Sequence, residues 1–223
     1  MKRTIITTAD GSKTIHLEAL NEQYHSKHGA VQEAYHVFID HGLSAVKKNH
    51  ISILEIGFGT GLNAFITLLE ASSKGLHINY TGVERYPVIK AELDQLNYTS
   101  ELKAEEHKDL FRAMHSSSWE VETEINSYFR LHKQQKDFKE IEDVQEYDLI
   151  YFDAFGARVQ PELWTEEIFQ IMFNALNKNG ILVTYAAKGS VRRAMMAVGF
   201  QVERLPGPPG KREMLRATRI QSK

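Results

Sequence analysis

The chain has 223 residues, 42% of them hydrophobic and 25% charged, enough to bury a sizeable core in one domain or in one domain with a short extension. It contains no cysteine, which excludes disulfides, thiolate nucleophiles and cysteine-based zinc sites and suits a reducing, cytoplasmic setting. The net charge of -2 hides an asymmetry, because residues 188–223 carry nine Lys/Arg against two Asp/Glu while the rest of the chain is acidic. Such an end either faces a polyanion or is a solvated basic face.

Taken in chain order, TIITTADGSKTIHL reads as a hairpin turning at Asp10-Gly11. It shows no apolar leader, and nothing in the chain approaches the roughly 18 apolar residues of a membrane helix. Val31, Ala34, Tyr35, Phe38 and Ile39 predict a helix from about Ala30. Strands and helices then alternate. ISILEI is a buried-type strand, Asn63 to Ser73 a helix, and INYTGVE a second strand. Pro87 is read as starting a helix towards Leu96, residues 101–118 as helical, and EVETE at 120–124 as an acidic, mobile surface connection. SYFRL is a weak third strand and YDLIYFD a strong fourth. Pro161 is expected to begin a helix through Leu176 that ends at Asn179-Gly180. ILVTYAA is the fifth strand, Ser190 caps a helix to Val198, and FQVERL and REMLRAT flank the loop PGPPG.

This alternation predicts a doubly wound, mainly parallel α/β sheet with an antiparallel pair at one edge. An N-terminal hairpin and helix extension, residues 1–48, would pack on a core domain of residues 49–223. Ligands of such sheets bind at the carboxyl ends of the strands, where the strand order reverses.

Gly57, Gly59 and Gly61 in LEIGFGTGLN follow the first core strand, where they let the backbone approach a ligand and present a helix N-terminus. Their spacing lacks one residue of the dinucleotide pattern G-x-G-x-x-G. Glu55, beside the turn, suits a ligand with an amine, such as the methionine end of S-adenosylmethionine. Glu84 ends the second strand roughly 20 residues on, where a ribose-binding carboxylate belongs. A glycine turn alone is usually a tight connection. Two flanking acids favour an adenosine-bearing cofactor, S-adenosylmethionine ahead of NAD.

Asp153 ends the fourth strand in YFDAFGARVQPELW. It resembles the [DN]-P-P-[YF] station of amine methyltransferases, with Phe155 in the aromatic position and no prolines. In that station the carboxylate orients an amine lone pair at the methyl carbon and the ring packs on the substrate. The alternative is an Asp capping its own loop. His25, His28, His36 and His41 show no three-ligand pattern, so no metal is expected. Trp119 and Trp164 read as packing residues.

LEIGFGTGLN, YFDAFGARVQPELW, GSVRRAMMAVGF and GKREML, with YHS from Tyr24 and EAYHVF from Glu33, resemble the methyltransferase domain of MnmC-type tRNA-modifying enzymes. The resemblance runs from about Tyr24 to Thr218. It implies a class I S-adenosylmethionine-dependent methyltransferase fold that methylates the 5-aminomethyl group of a wobble (2-thio)uridine in tRNA. By position, Tyr24, Glu55, Gly57, Phe58, Gly59, Thr60, Gly61, Asn63, Glu84 and Asp153 would hold the cofactor. Asp153 and Phe155 would face the amine, and Lys188, Arg192, Arg193, Lys211 and Arg212 would contact tRNA. Two departures stand out: LHKQQKDF replaces the family's Gly-Asp pair near the adenine, and the chain ends at Lys223 without the flavin-dependent oxidase part of many relatives. The expectation is therefore methyl transfer only, on a precursor from a separate enzyme. Small-molecule amine methylation and spermidine-synthase-like aminopropyl transfer are the competing readings, the latter needing a second acid that the sequence does not place.

Overall fold

The N-terminal arms pair as strands β1 (Arg3–Thr7) and β2 (Lys13–Leu17) in the computed structural model, which describes residues 2–220. Met1 and residues 221–223, the end of the predicted core domain, lie outside the described residues. Asp10 builds the turn by accepting from Thr8 Oγ1 at 2.7 Å and from Ser12 Oγ at 2.6 Å. Strand β3 (Glu22–Gln23) completes a small antiparallel sheet. Helix α1 (Ala30–Ala34) runs straight into a π-helical segment (Tyr35–Asp40). The wider winding turns Val37, Phe38 and Ile39 all into the core.

The core domain then runs β4 (His50–Ile56), α2 (Leu62–Lys74), β5 (His77–Val83), α3 (Lys90–Leu93), α4 (Tyr98–Glu101) and α5 (Lys108–Ser116). It continues β6 (Glu122–Asn126), β7 (Phe129–Gln134), β8 (Tyr147–Phe152), α6 (Glu166–Ala175) and β9 (Leu176–Thr184). Helix α7 (Gly189–Ala197) and strands β10 (Gln201–Pro206) and β11 (Glu213–Thr218) close it. The eight-stranded sheet has the order β10-β11-β9-β8-β4-β5-β7-β6. Its centre is parallel, and β6, β10 and β11 are antiparallel to their neighbours. The doubly wound sheet and its C-terminal antiparallel edge are as the sequence predicts.

Every residue of β8 is buried. Leu149 and Tyr151 join the apolar cluster on the face of α2, while Ile150 and Phe152 join that of α6 and α7. A strand covered on both faces reads as a continuous apolar run, which is why YDLIYF stands out. The chain winds from β4 outward through β5 and β7, then returns to β8 on the other side. The strand ends of β4 and β8 therefore flank the switch point.

Five local expectations are corrected. The helix expected from Pro87 is reduced to the short α3 and α4, because the N-terminal hairpin holds this segment: Arg3 binds Glu92 and Asn97 bridges Lys13 and Gly11. Residues 101–118 are not one helix: α4 ends at Glu101, Lys103 takes φ +50, and Lys108–Ser116 is α-helical after a 3-10 turn. Residues 120–124 are no loose connection, as Glu122 starts β6 and Glu122 and Glu124 flank Arg130 of β7, each at 3.6 Å. Pro161 opens only a 3-10 turn (Pro161–Leu163), Thr165 caps α6, and that helix stops at Ala175. Asn179-Gly180 instead sits inside β9, where the pairing with β8 shifts register and Asn179 takes φ +61. Lys188, not Ser190, holds the N-cap position of α7.

Candidate active site

The glycine turn is set by close backbone approach. A Cβ on Gly57, at φ +89, would stand 2.8 Å from the carbonyl oxygen of Asp153, and one on Gly59, at φ +50, would stand 3.0 Å from the Tyr24 ring. Gly61 takes the N-cap position of α2, so the first-turn amides open beside the turn. Phe58 supports the turn from beneath, its ring buried against Gly82, His115 and Trp119. Thr60 is buried and accepts from the Tyr98 hydroxyl at 3.0 Å.

Three acids meet here at successive strand ends. Glu84 accepts from the Gly59 amide at 3.1 Å and from the Tyr86 amide at 2.8 Å. Each carboxylate oxygen retains a second lone pair for ribose hydroxyls. Asn63, at the start of α2, donates through one Nδ2 to Glu55 Oε1 at 2.9 Å and to Asp153 Oδ2 at 2.8 Å. Burial, opposed by the Asn63 bond, holds the Glu55 carboxyl well above the ordinary range. Glu55 Oε2 and Asn63 Oδ1 are buried acceptors without partners. An ammonium group at the turn would satisfy the Asn63 oxygen, which lines the cavity, while Glu55 acts on that end through Asn63. The residues present thus fit the amino-acid end of S-adenosylmethionine.

A cavity of about 340 Å³ runs along the glycine turn, Asn63, Glu84 and Asp153. Asp137 and Phe138 wall its far end, at the start of the 3-10 turn after β7, and Arg85 pairs with Asp137 across the rim. The aspartate of LHKQQKDF therefore stands at the strand end where the family's Gly-Asp pair is expected. Its distance in sequence from the glycine turn conceals it.

Asp153 follows β8 directly and donates its amide to Ile56 of β4 at 3.0 Å. Burial, and then the charge of Glu33, push its carboxyl up to about 7. The Phe155 and Tyr24 rings meet edge to face at 5.1 Å, and Trp164 fixes the turn by donating to the Phe155 carbonyl at 2.8 Å. Beyond Asp153 lies a second cavity of about 460 Å³, sharing Tyr24, His25, Asp153, Ala154 and Phe155 with the first. Two adjoining spaces that meet at one carboxylate suit a donor and an acceptor.

Comparison with known proteins agrees with this geometry. A family model described as S-adenosyl-L-methionine-dependent methyltransferase matches residues 86–220. The chain belongs to this methyltransferase family. The "tRNA 5-methylaminomethyl-2-thiouridine biosynthesis bifunctional protein MnmC" of Aromatoleum aromaticum is 30% identical over 215 residues, which are 89% of this chain and 33% of that protein. Its namesake in Hydrogenovibrio crunogenus is 29% identical, over 87% of this chain and 31% of that protein. The chain thus spans about a third of the length of these curated relatives. Among solved structures, MNMC2 from Aquifex aeolicus superposes with a TM-score of 0.80 at 27% identity, covering 99% of this chain and 71% of that one. Spermidine synthase from Thermotoga maritima, at 0.60 and 14% identity over 97% and 69%, shares the fold.

In this methyltransferase the predicted basic residues do not form one surface. Lys188, Arg193 and Arg212 are exposed, whereas Arg192 is half-buried with a Nε that lacks a partner. Lys211 turns inward to Glu33 at 2.7 Å, its ammonium 3.7 Å from the Tyr185 ring centroid. Arg204 and Arg216 pair with Glu213 and Glu203, and Arg219 binds the carbonyls that follow α6. Several cations of the C-terminal segment therefore have partners within the chain, and Lys211 turns inward to meet its own.

His25, held against Thr14 at 3.0 Å, is kept neutral because burial lowers its pKa to about 4. His36 donates to the Pro206 carbonyl at 2.8 Å. Among the described residues no three metal-ligating side chains gather, and no helix is long and apolar enough to cross a membrane. Sequence reasoning gave no function to Glu33, Tyr185 or Asp137. Each lies on a segment remote in sequence from the glycine turn.

Proposed function

We propose that this methyltransferase transfers the methyl group of S-adenosylmethionine to the primary amine of a 5-aminomethyl wobble (2-thio)uridine in tRNA, giving 5-methylaminomethyl-(2-thio)uridine. The observation that carries this reading is the place of Asp153, at the junction of two cavities and bonded through Asn63 to the acid that serves the cofactor's amine. The names of the relatives support a tRNA 5-methylaminomethyl-2-thiouridine product, from which the aminomethyl substrate follows.

The cofactor brings an electrophilic methyl on a sulfonium, so the protein must align a neutral amine and exclude water. Asp153, once ionised, accepts hydrogen bonds from the amine and points its lone pair along the line of attack. A carboxyl poised at about 7 also serves as the local proton acceptor at neutral pH. Asn63 fixes that carboxylate in one rotamer. Phe155 and Tyr24 form an aromatic rim on which the uracil ring packs. Asp137 and Phe138 take the adenine end.

Lys188, Arg193 and Arg212 contact the RNA backbone, with Arg192 and Lys211 behind them. Residues 1–48 act as an extension whose helix closes the acceptor side of the 49–223 domain. A tRNA substrate places the work in the cytoplasm, and a separate reaction supplies the aminomethyl precursor. No metal takes part. The test is nucleoside mass spectrometry of tRNA from cells with and without the protein. Loss of the methylamino nucleoside with gain of the aminomethyl one is expected, and unchanged nucleosides would refute the reading.

Glu33 is a second acid at the acceptor cavity, which specifically favours a small diamine as the competing acceptor. Turnover of putrescine with decarboxylated S-adenosylmethionine, in place of tRNA methylation, would establish that reading instead.

A further inference from the structure

Glu33 is a charged residue on a short helix, only 7% exposed, yet it faces a cavity and not the core. One carboxylate oxygen binds Lys211 at 2.7 Å; the other, Oε2, is buried and has no partner. The Lys211 ammonium is meanwhile seated 3.7 Å from the centroid of the Tyr185 ring. A carboxylate and an aromatic face together make a site for an alkylammonium ion. In this structure that ammonium is the chain's own. Asp153 lines the same cavity, and the charges of Glu33 and Lys211 both act on its carboxyl. Tyr185 is anchored there by its hydroxyl, which donates to the Ala154 carbonyl at 2.8 Å.

We propose that Glu33 is the second carboxylate of the acceptor site, that the incoming substrate amine binds it as an ammonium, and that the Lys211 side chain is an internal stand-in displaced by that amine. The inference rests on the reading of an amine acceptor at Asp153 and names how that amine is recognised. The energetic logic is exchange. A buried carboxylate left alone would be costly, so the free protein keeps it paired through Lys211. The substrate replaces one ammonium with another and then passes a proton to Asp153, so that the neutral amine stands there for methyl transfer. An acceptor lacking the amine cannot make that exchange, so discrimination is built into the ion pair. Arg158 pairs with Glu22 at 3.5 Å on the same cavity.

The experiment compares binding of two anticodon stem-loop RNAs, one with 5-aminomethyluridine and one with plain uridine, in the presence of S-adenosylhomocysteine. Phosphate contacts are common to both, so their affinity ratio reports the amine alone. Wild type should prefer the amine-bearing RNA. Glu33→Gln should cut that preference by about tenfold or more, as expected for losing a charged hydrogen bond. Lys211→Met should raise it, because the stand-in is gone. The neutral pair Glu33→Gln/Lys211→Met removes the buried charges together, so it guards against simple misfolding. It should show the low preference of Glu33→Gln, with S-adenosylhomocysteine affinity unchanged. If Glu33 only anchors Lys211, both single variants would lower the preference alike and the neutral pair would restore it; that pattern overturns the inference. A wild-type protein that binds S-adenosylhomocysteine but shows no preference refutes the substrate reading, and this inference with it.

Discussion

On the cofactor side the contacts of the glycine turn begin at short range, since Asn63 reaches Glu55, 8 residues away, and Gly59 reaches Glu84, 25 residues away, and only Asn63 to Asp153 spans 90. On the acceptor side the contacts are stitched across the whole chain, with Arg158 and Glu22 136 residues apart and Lys211 and Glu33 178 apart. The difference shows that the two halves answer to different constraints. A donor common to many reactions is held by a local turn that any parallel sheet can present at its switch point. On the proposed reading the acceptor is held by the N-terminal segment and a C-terminal loop wrapped onto that sheet.

Asp153 is where the halves meet, and its removal should give the largest effect. Asp153→Ala should lower kcat/KM by about 10²–10⁴-fold, while isothermal titration finds S-adenosylmethionine affinity within a few-fold of wild type. Near-normal turnover at saturating substrate would remove Asp153 from the chemistry.

The cofactor half should break on its own when the turn is strained. Gly61→Ala pushes a methyl at the His115 ring, 2.9 Å away, and at a φ of +71, so cofactor affinity should fall by about tenfold. Acceptor RNA binding should hold, and equal loss of both ligands would show that the halves are not separable.

The pH dependence sharpens the same division. The Asp153 carboxyl sits at about 7, so kcat/KM should fall by about tenfold per pH unit below that value. The stability effect runs the other way. The unfolded carboxyl titrates near 3.9, below its folded value, so ionisation costs stability as pH rises from about 4 to about 7. Asp153→Asn should therefore raise the melting temperature by about 2–4 °C at pH 8 and have no such effect at pH 3. A melting temperature unchanged at pH 8 would mean that the carboxylate is fully solvated.

The smallest effects belong to the RNA surface. Arg212→Ala should flatten the log-log salt dependence of tRNA binding by about 0.7 to 0.9, as should Lys188→Ala and Arg193→Ala. Lys211 points inward, so Lys211→Met should leave that slope nearly unchanged. A flattened slope for Lys211→Met would return that residue to the phosphate surface.

Local signals carried the central sheet and most of the donor site. YDLIYF reads as a strand because both its faces are covered, and Gly57, Gly59, Glu55 and Glu84 are legible because strand–turn–strand neighbours in sequence are neighbours in space. Residues 87–96 misled because their helical pattern yields to Arg3, Lys13 and Gly11 of the hairpin, which no local window contains. Asn179-Gly180 misled because a left-handed Asn serves a helix end and a strand irregularity equally well.

By itself the sequence determined the alternating architecture, the glycine turn and the acids at the ends of β4, β5 and β8, all consequences of short-range periodicity and backbone geometry. The tertiary structure alone decided which of those acids share an asparagine, that Glu33 and Tyr185 come to face Asp153, and that Lys211 leaves the basic surface for a buried carboxylate. A charge pattern counts residues without saying where their side chains end. Burial, which makes an unpaired carboxylate costly, sets which cations turn inward to meet it.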